Sequence, residues 1–122
     1  MKQRKRPSMP RSLQIYLWEL EQSISDVEQF TSGQTLATYE QNSMLRAAVE
    51  RKFTVIGEAL AQMMRHFPAT EQKIEHSRKI VDFRNLLTHE YGEVDDMIVW
   101  SIVERHLQPL KRDVLRWKEE LE

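Results

Sequence analysis

The reactive side chains of this sequence concentrate in one stretch, Arg84-Asn85-Leu86-Leu87-Thr88-His89-Glu90-Tyr91. A permanent cation, an amide, an imidazole and a phenol follow one another there. Asn85 and His89 stand four apart, so on a helix they share a face. Arg84 precedes His89 by five residues, about 140° away around an ideal helix, yet its side chain is long enough to swing toward the same pocket. Gly92 follows Tyr91 and lets the backbone turn so that the phenol points outward. Such a set suits cleavage of RNA. RNA carries its own nucleophile, the 2′-hydroxyl, so a protein need supply neither nucleophile nor metal ion. It must supply a base for that hydroxyl, an acid for the 5′-oxygen leaving group, and donors for the charge on the phosphorane. Histidine serves as acid or base near neutral pH. Arginine offers a forked, always-charged donor to phosphate oxygens. Asn85 is expected to orient His89 or to donate to phosphate. The products would be a 2′,3′-cyclic or 3′-phosphate and a 5′-hydroxyl.

One histidine per chain does not easily act as base and acid at once. A twofold dimer that apposes the motif helices would bring in a second His89 and a second Arg84. A composite cleft at a homodimer interface is therefore expected, and the Arg84 that serves a given His89 could come from the other chain. The bland alternative is that Arg84 pairs with a carboxylate and His89 only terminates a helix.

Other chemistries find no support. Helical bundles often hold paired metals on Glu-x-x-His, but the residues three before His66, His76, His89 and His106 are Met63, Lys73, Leu86 and Val103. His-Glu-x-x-His, a Gly-rich phosphate loop and a nucleophile elbow are all missing. Without cysteine, disulfides and thiolate metal sites are excluded. No cofactor or metal is called for. His66 and His106 fall near helix ends, where a cation is favoured, and His76 is expected on the surface.

The chain that must position the motif has 122 residues, the size of one domain. Three Gly, four Pro and 30% charged residues make a helical composition. Charge is uneven. Residues 1–11 hold Lys2, Arg4, Lys5, Arg6 and Arg11 and no acid, whereas the rest holds 13 Lys/Arg against 19 Asp/Glu. A basic, solvated arm at 1–11 before a single domain at 12–122 is expected. The acidic body argues against coating nucleic acid by bulk charge. No apolar run approaches the roughly 20 residues of a membrane helix, and no signal-peptide segment opens the chain. A cytoplasmic protein is the default.

Ser12 caps a predicted helix over about 12–31, its stripe running Leu13, Tyr16, Leu17, Leu20, Ile24, Val27 and Phe30. Gly33 is suited to the left-handed closing position. Thr35–Gln41 predicts a short turn. Asn42 or Ser43 caps a helix to about Phe67, stopped by Pro68, with Leu45, Ala48, Val49, Phe53, Ile56, Ala59, Leu60, Met63 and Met64 inside. Gly57 sits in mid-helix, where glycine costs about 1 kcal/mol against alanine; a close helix–helix contact would explain it. Thr70 starts a third helix that carries the motif, with Ile74, Ser77, Ile80, Val81 and Leu87 inward. Asp95 caps a fourth, with Ile98, Val99, Ile102, Val103 and Leu107 inward, and a kink or restart is expected at Pro109. A last segment over about 110–121 carries Leu110, Val114, Trp117 and Leu121. The architecture is an all-α, up-down four-helix bundle, the last helix broken or extended near Pro109.

At these residues the sequence resembles the HepT toxins of the HEPN superfamily. Their Arg-x4-His-x-Tyr hallmark is met by Arg84, His89 and Tyr91, with Asn85 as the polar residue after the arginine. Glu50-Arg51-Lys52-Phe53-Thr54-Val55-Ile56-Gly57-Glu58-Ala59 is similar to the family's second-helix signature. Val94-Asp95, Ile98-Val99-Trp100 and Leu107-Gln108-Pro109-Leu110-Lys111 are similar to its final helix. The resemblance covers roughly 12–118; the basic arm has no counterpart, and a Pro-Trp often found before the motif is missing. It implies a homodimeric, metal-independent endoribonuclease acting on mRNA or tRNA, the toxin of a type II/VII-like toxin–antitoxin system. It further implies a minimal nucleotidyltransferase antitoxin of the MntA type, which would transfer AMP from ATP to Tyr91. A bulky anion two residues from His89 would repel and occlude the RNA. The competing expectation is a non-catalytic helical dimerisation module that only binds a nucleotidyltransferase.

Overall fold

Helix starts fall where short polar side chains can take up free amides. The computed structural model describes residues 11–89, without the side chain of His89, and residues 94–122. Helix α1 is Leu13–Thr31, and the Ser12 hydroxyl accepts from the Ile15 amide at 3.3 Å. Gly33 then takes φ 76°, the left-handed conformation expected of it. The short helix α2, Leu36–Glu40, opens with a reciprocal capping box between Thr35 and Thr38. Helix α3, Ser43–His66, is capped by Asn42, whose side-chain oxygen accepts from the Leu45 amide at 3.0 Å. Helix α4 is Thr70–Lys73 and α5, the motif helix, is Ser77–His89. Helix α6, Asp96–Arg105, is capped by Asp95 through the Met97 amide at 2.9 Å, and α7 is Leu107–Glu120. The described residues are helical and connecting segments throughout, so the all-α architecture is as expected.

Helix α3 is the central element. It packs against α1 on one side and α5 on the other, while α1 also meets α7. The core is the shared apolar stripe of these helices. Leu17, Leu20, Ile24 and Val27 of α1 are buried with Val49, Phe53, Ile56, Leu60 and Met63 of α3 and Leu110, Val114 and Trp117 of α7. Each fully buried side chain of this kind contributes about 1.5–3 kcal/mol by leaving water. Tyr39 of α2 is wholly buried and its ring lies 5.2 Å from that of Trp100, which fastens α2 to α6. Surface ion pairs bridge the helices: Lys118–Glu21 at 2.9 Å and Lys111–Glu28 at 3.1 Å join α7 to α1, and Lys52–Asp26 at 2.8 Å joins α3 to α1. Arg11, the last residue of the expected basic arm, pairs with Glu19 at 2.7 Å and lies over the Tyr16 ring; residues 1–10 fall outside the described residues.

Three expectations need correction. The third helix does not run unbroken from Thr70. It stops at Lys73, Ile74 is extended, and His76 adopts φ 65° before α5 begins. The freed Glu75 amide donates to a carboxylate oxygen of buried Asp113 on α7, at 3.0 Å. Thr70 does begin a helix as expected, the short α4, and its hydroxyl donates backward to the carbonyls of Met63 and Phe67. The break near Pro109 lies three residues upstream, at His106. A proline in mid-helix would clash with the carbonyl four residues before it, here Arg105. Ending α6 at Arg105 leaves Pro109 in the first turn of α7, where no amide is required. Finally, Ile98 does not face inward. Val99 beside it is fully buried, whereas Ile98 is exposed, as is Leu121.

Candidate active site

Gly57 determines how the motif helix sits. A β-carbon placed on Gly57 would fall 2.2 Å from Cβ and 2.6 Å from Cγ of Arg84, and 3.5 Å from its Cα. The mid-helix glycine thus marks the close α3–α5 contact it was expected to mark, and the residue it admits is the motif arginine. One turn away, the Phe53 and Phe83 rings meet edge to face at 5.7 Å between α3 and α5. Val81 and Ser77 are buried on the inner side of α5.

Arg84 is therefore gripped along its stem. Its Nε is buried and has no hydrogen-bond partner among the described residues, while 22% of the side chain remains exposed. A buried donor left unpaired costs about 1–3 kcal/mol, a penalty that the packing at Gly57 offsets. The terminal Nη1 lies 4.0 Å from a carboxylate oxygen of Glu58, whose side chain is half exposed. A pair that long and that exposed adds little stability. A phosphate, able to take two parallel bonds from the guanidinium, would displace it. Glu58 is the neighbour that inspection of the motif alone missed; its signal was its place beside Gly57.

Asn85 is exposed on α5. His89 is the last residue of α5 and so continues the helix that carries Arg84 and Asn85; Asn85 and His89 stand one turn apart on one face. Thr88 donates its hydroxyl to the carbonyls of Arg84 and Asn85, at 3.1 and 3.3 Å. The His89 side chain, Tyr91 and Gly92 lie outside the described residues. Arg84 and Asn85 are thus brought onto one helix with the backbone of His89. Among the described residues, no group of three or more His, Cys, Asp or Glu could hold a metal ion. No helix of the described residues is long and apolar enough to cross a membrane.

Several apolar side chains are uncovered on α3, α5 and α6. Leu86 is exposed one turn before His89. The Arg46–Asp96 pair, at 3.8 Å, ties the start of α3 to the start of α6. Close to that pair in the chain, Met44 is 83% and Met97 62% exposed, and Ile98 is exposed as well.

A family model described as "Ribonuclease HepT-like" matches residues 20–116. Among curated proteins, one from Methanocaldococcus jannaschii named "Putative RNase" is 29% identical over 104 residues, covering 85% of this chain and 94% of its own. A second from the same organism, named "Gamma-glutamylcyclotransferase and putative RNase", is 28% identical over 116 residues, covering 93% of this chain. The chain spans only about half of that relative, 51% of its length. A Thermococcus cleftensis protein named "Probable ribonuclease HepT" is 28% identical over 103 residues, with 84% of this chain and 93% of its own covered. No solved structure matches the chain.

Proposed function

Because the chain belongs to the ribonuclease HepT-like family, we propose that it is an endoribonuclease toxin that cleaves mRNA or tRNA as a homodimer. The domain is residues 12–122, with the basic arm 1–11 ahead of it. The observation that most supports this is the contact at Gly57. A residue without a side chain stands where any other would push Arg84 off α3. A surface arginine serving only solubility would need no such accommodation. In the proposed reaction His89 takes the proton of the 2′-hydroxyl. The 2′-oxygen forms a bond to phosphorus, the bond to the 5′-oxygen breaks, and the leaving oxygen takes a proton from the second His89 of the dimer. Arg84 holds the non-bridging oxygens, and Asn85 orients the imidazole or donates to phosphate.

Leu86, exposed one turn before His89, supports a second copy seated against the motif helix, which would take that side chain out of water. Inactivation is assigned to an MntA-type nucleotidyltransferase that transfers AMP from ATP to the Tyr91 phenol, releasing pyrophosphate. The Arg84–Glu58 contact favours a second reading, a non-catalytic dimerisation module in which Arg84 is only an ion-pair partner.

One assay separates the two. Purified protein is incubated with total RNA in EDTA, beside Arg84→Ala and His89→Ala. Cleavage that persists in EDTA and vanishes in both variants is the expected result. Cleavage untouched by either substitution would sink the site assignment, and no cleavage by any of the three would leave the binding module.

A further inference from the structure

A second feature lies at the other end of α5, where two helix breaks meet. The α4–α5 break at His76 and the α6–α7 break at His106 face each other, their imidazole rings 6.3 Å apart and nearly perpendicular. Between them opens a cleft of about 130 Å³. Its walls are apolar, from Phe53, Phe83, Ile80 and Ile102, and Lys79 and the two histidines lie among its polar lining. His76 holds φ 65°, a conformation that costs a residue with a β-carbon about 1–3 kcal/mol and tends to persist at functional sites. The Asp113–Glu75 hydrogen bond fixes that turn.

The dimensions and charges select an occupant. An apolar cavity of about 150 Å³ takes one six-membered aromatic ring, so the enclosed part of this one matches a single planar ring more closely than a fused pair. Phe53 and Phe83 in its wall suit an aromatic partner. Lys79, and His76 and His106 when protonated, offer positive charge, and α5 and α7 both begin at this cleft with their positive ends. Glu75 opposes them, but its side chain is 68% exposed and lies 3.6 Å from the His76 ring. It is free to turn outward.

We propose that this cleft binds a pyrimidine nucleotide, with the base inside and the phosphate on Lys79, His76 and His106. The nucleotide could be a free monophosphate or one unit of a single-stranded RNA. Arg84 does not line the cleft, so binding here and cleavage at the motif stand or fall separately.

The test follows the His76 and His106 ring signals by NMR in the full chain. CMP, UMP, AMP or GMP is added, or a 2′-O-methyl pyrimidine hexanucleotide that lacks the nucleophile and is not cut. Both rings should shift together and saturate, with the pyrimidines binding several-fold tighter than the purines. Ile102→Trp, which fills the cleft, should abolish the shifts while His66 stays unmoved. Lys79→Glu, on the surface, should weaken binding several-fold. Saturation by the monophosphates would identify a free-nucleotide site, and saturation by the oligomer alone an RNA subsite. Either supports the proposal. It is overturned if nothing saturates, if purines bind as tightly, or if both variants titrate as the parent does.

Discussion

Replacing Gly57 with alanine tests how the motif arginine is held. Taken alone, the change should stabilise α3 by about 1 kcal/mol, the difference in helix propensity. The new β-carbon would meet Arg84 Cβ at 2.2 Å and Cγ at 2.6 Å. Carbon pairs rest at about 3.5–4.0 Å, so the two helices must separate by more than about 1 Å. The obstructing atoms belong to the root of the side chain and cannot swing aside. Overpacking of this kind costs about 1–3 kcal/mol, and a rigid obstruction belongs in the upper half of that range. The net expectation is a loss of about 1–2 kcal/mol, or a fall of about 5 °C in Tm for a chain of this length. Cleavage should suffer more than stability, because a misplacement of about 1 Å at a catalytic group can cost about a hundredfold. Denaturant unfolding and initial rates on a labelled RNA would be measured together, well below Tm. A Gly57→Ala protein more stable by about 1 kcal/mol, and fully active, would refute the account of the contact.

Four further outcomes are expected. Arg84→Lys should lose most cleavage while keeping the fold, because lysine offers a point charge in place of a fork; parental rates would count against a phosphate role. Tyr91→Phe should cleave normally but escape AMP transfer on co-expression with the nucleotidyltransferase, read as the absence of an AMP-sized mass increase. Asp113→Ala should cost about 1–3 kcal/mol by stranding the Glu75 amide, measured by denaturation, with faster hydrogen exchange at Glu75. Burial, then the neighbouring Asp96, raises the Glu50 carboxyl above its ordinary range, with Arg46 opposing. A folded-state pKa above the unfolded one favours the protonated form, so this contribution is lost as pH rises through the interval between them. Glu50→Gln should therefore raise Tm at neutral pH, and the gain should shrink in acid; an equal gain at both pH values would contradict the cause.

How much of this could be read from the chain depends on the range of the forces involved. Ser12, Asn42 and Asp95 were legible as caps because each acts on an amide two or three residues away. Gly57 was legible because a glycine in mid-helix needs a reason from outside the helix. The break at His76 was not, since the carboxylate that takes up the Glu75 amide arrives from Asp113, 38 residues on. Ile98 and Val99 are both apolar neighbours on a helix, and only the packed fold decides that Val99 goes in and Ile98 stays out. The Arg84–Glu58 contact was hidden for the same reason: it spans two helices.

The way α5 is mounted also sets a mechanical ratio. The helix is fixed near Ser77, buried beside the Asp113 latch, and again at Arg84, against Gly57. At about 1.5 Å per residue, the second support lies about 10.5 Å along the axis and His89 about 18 Å. Treated as a rigid rod pivoting at its first support, α5 magnifies a displacement at Arg84 about 1.7 times by the time it reaches His89. Tolerances at the Gly57 seat are therefore stricter than those at the histidine itself. Substitutions remote from the motif, on the α3 side of that seat, should tune activity through this lever arm without touching a reacting group.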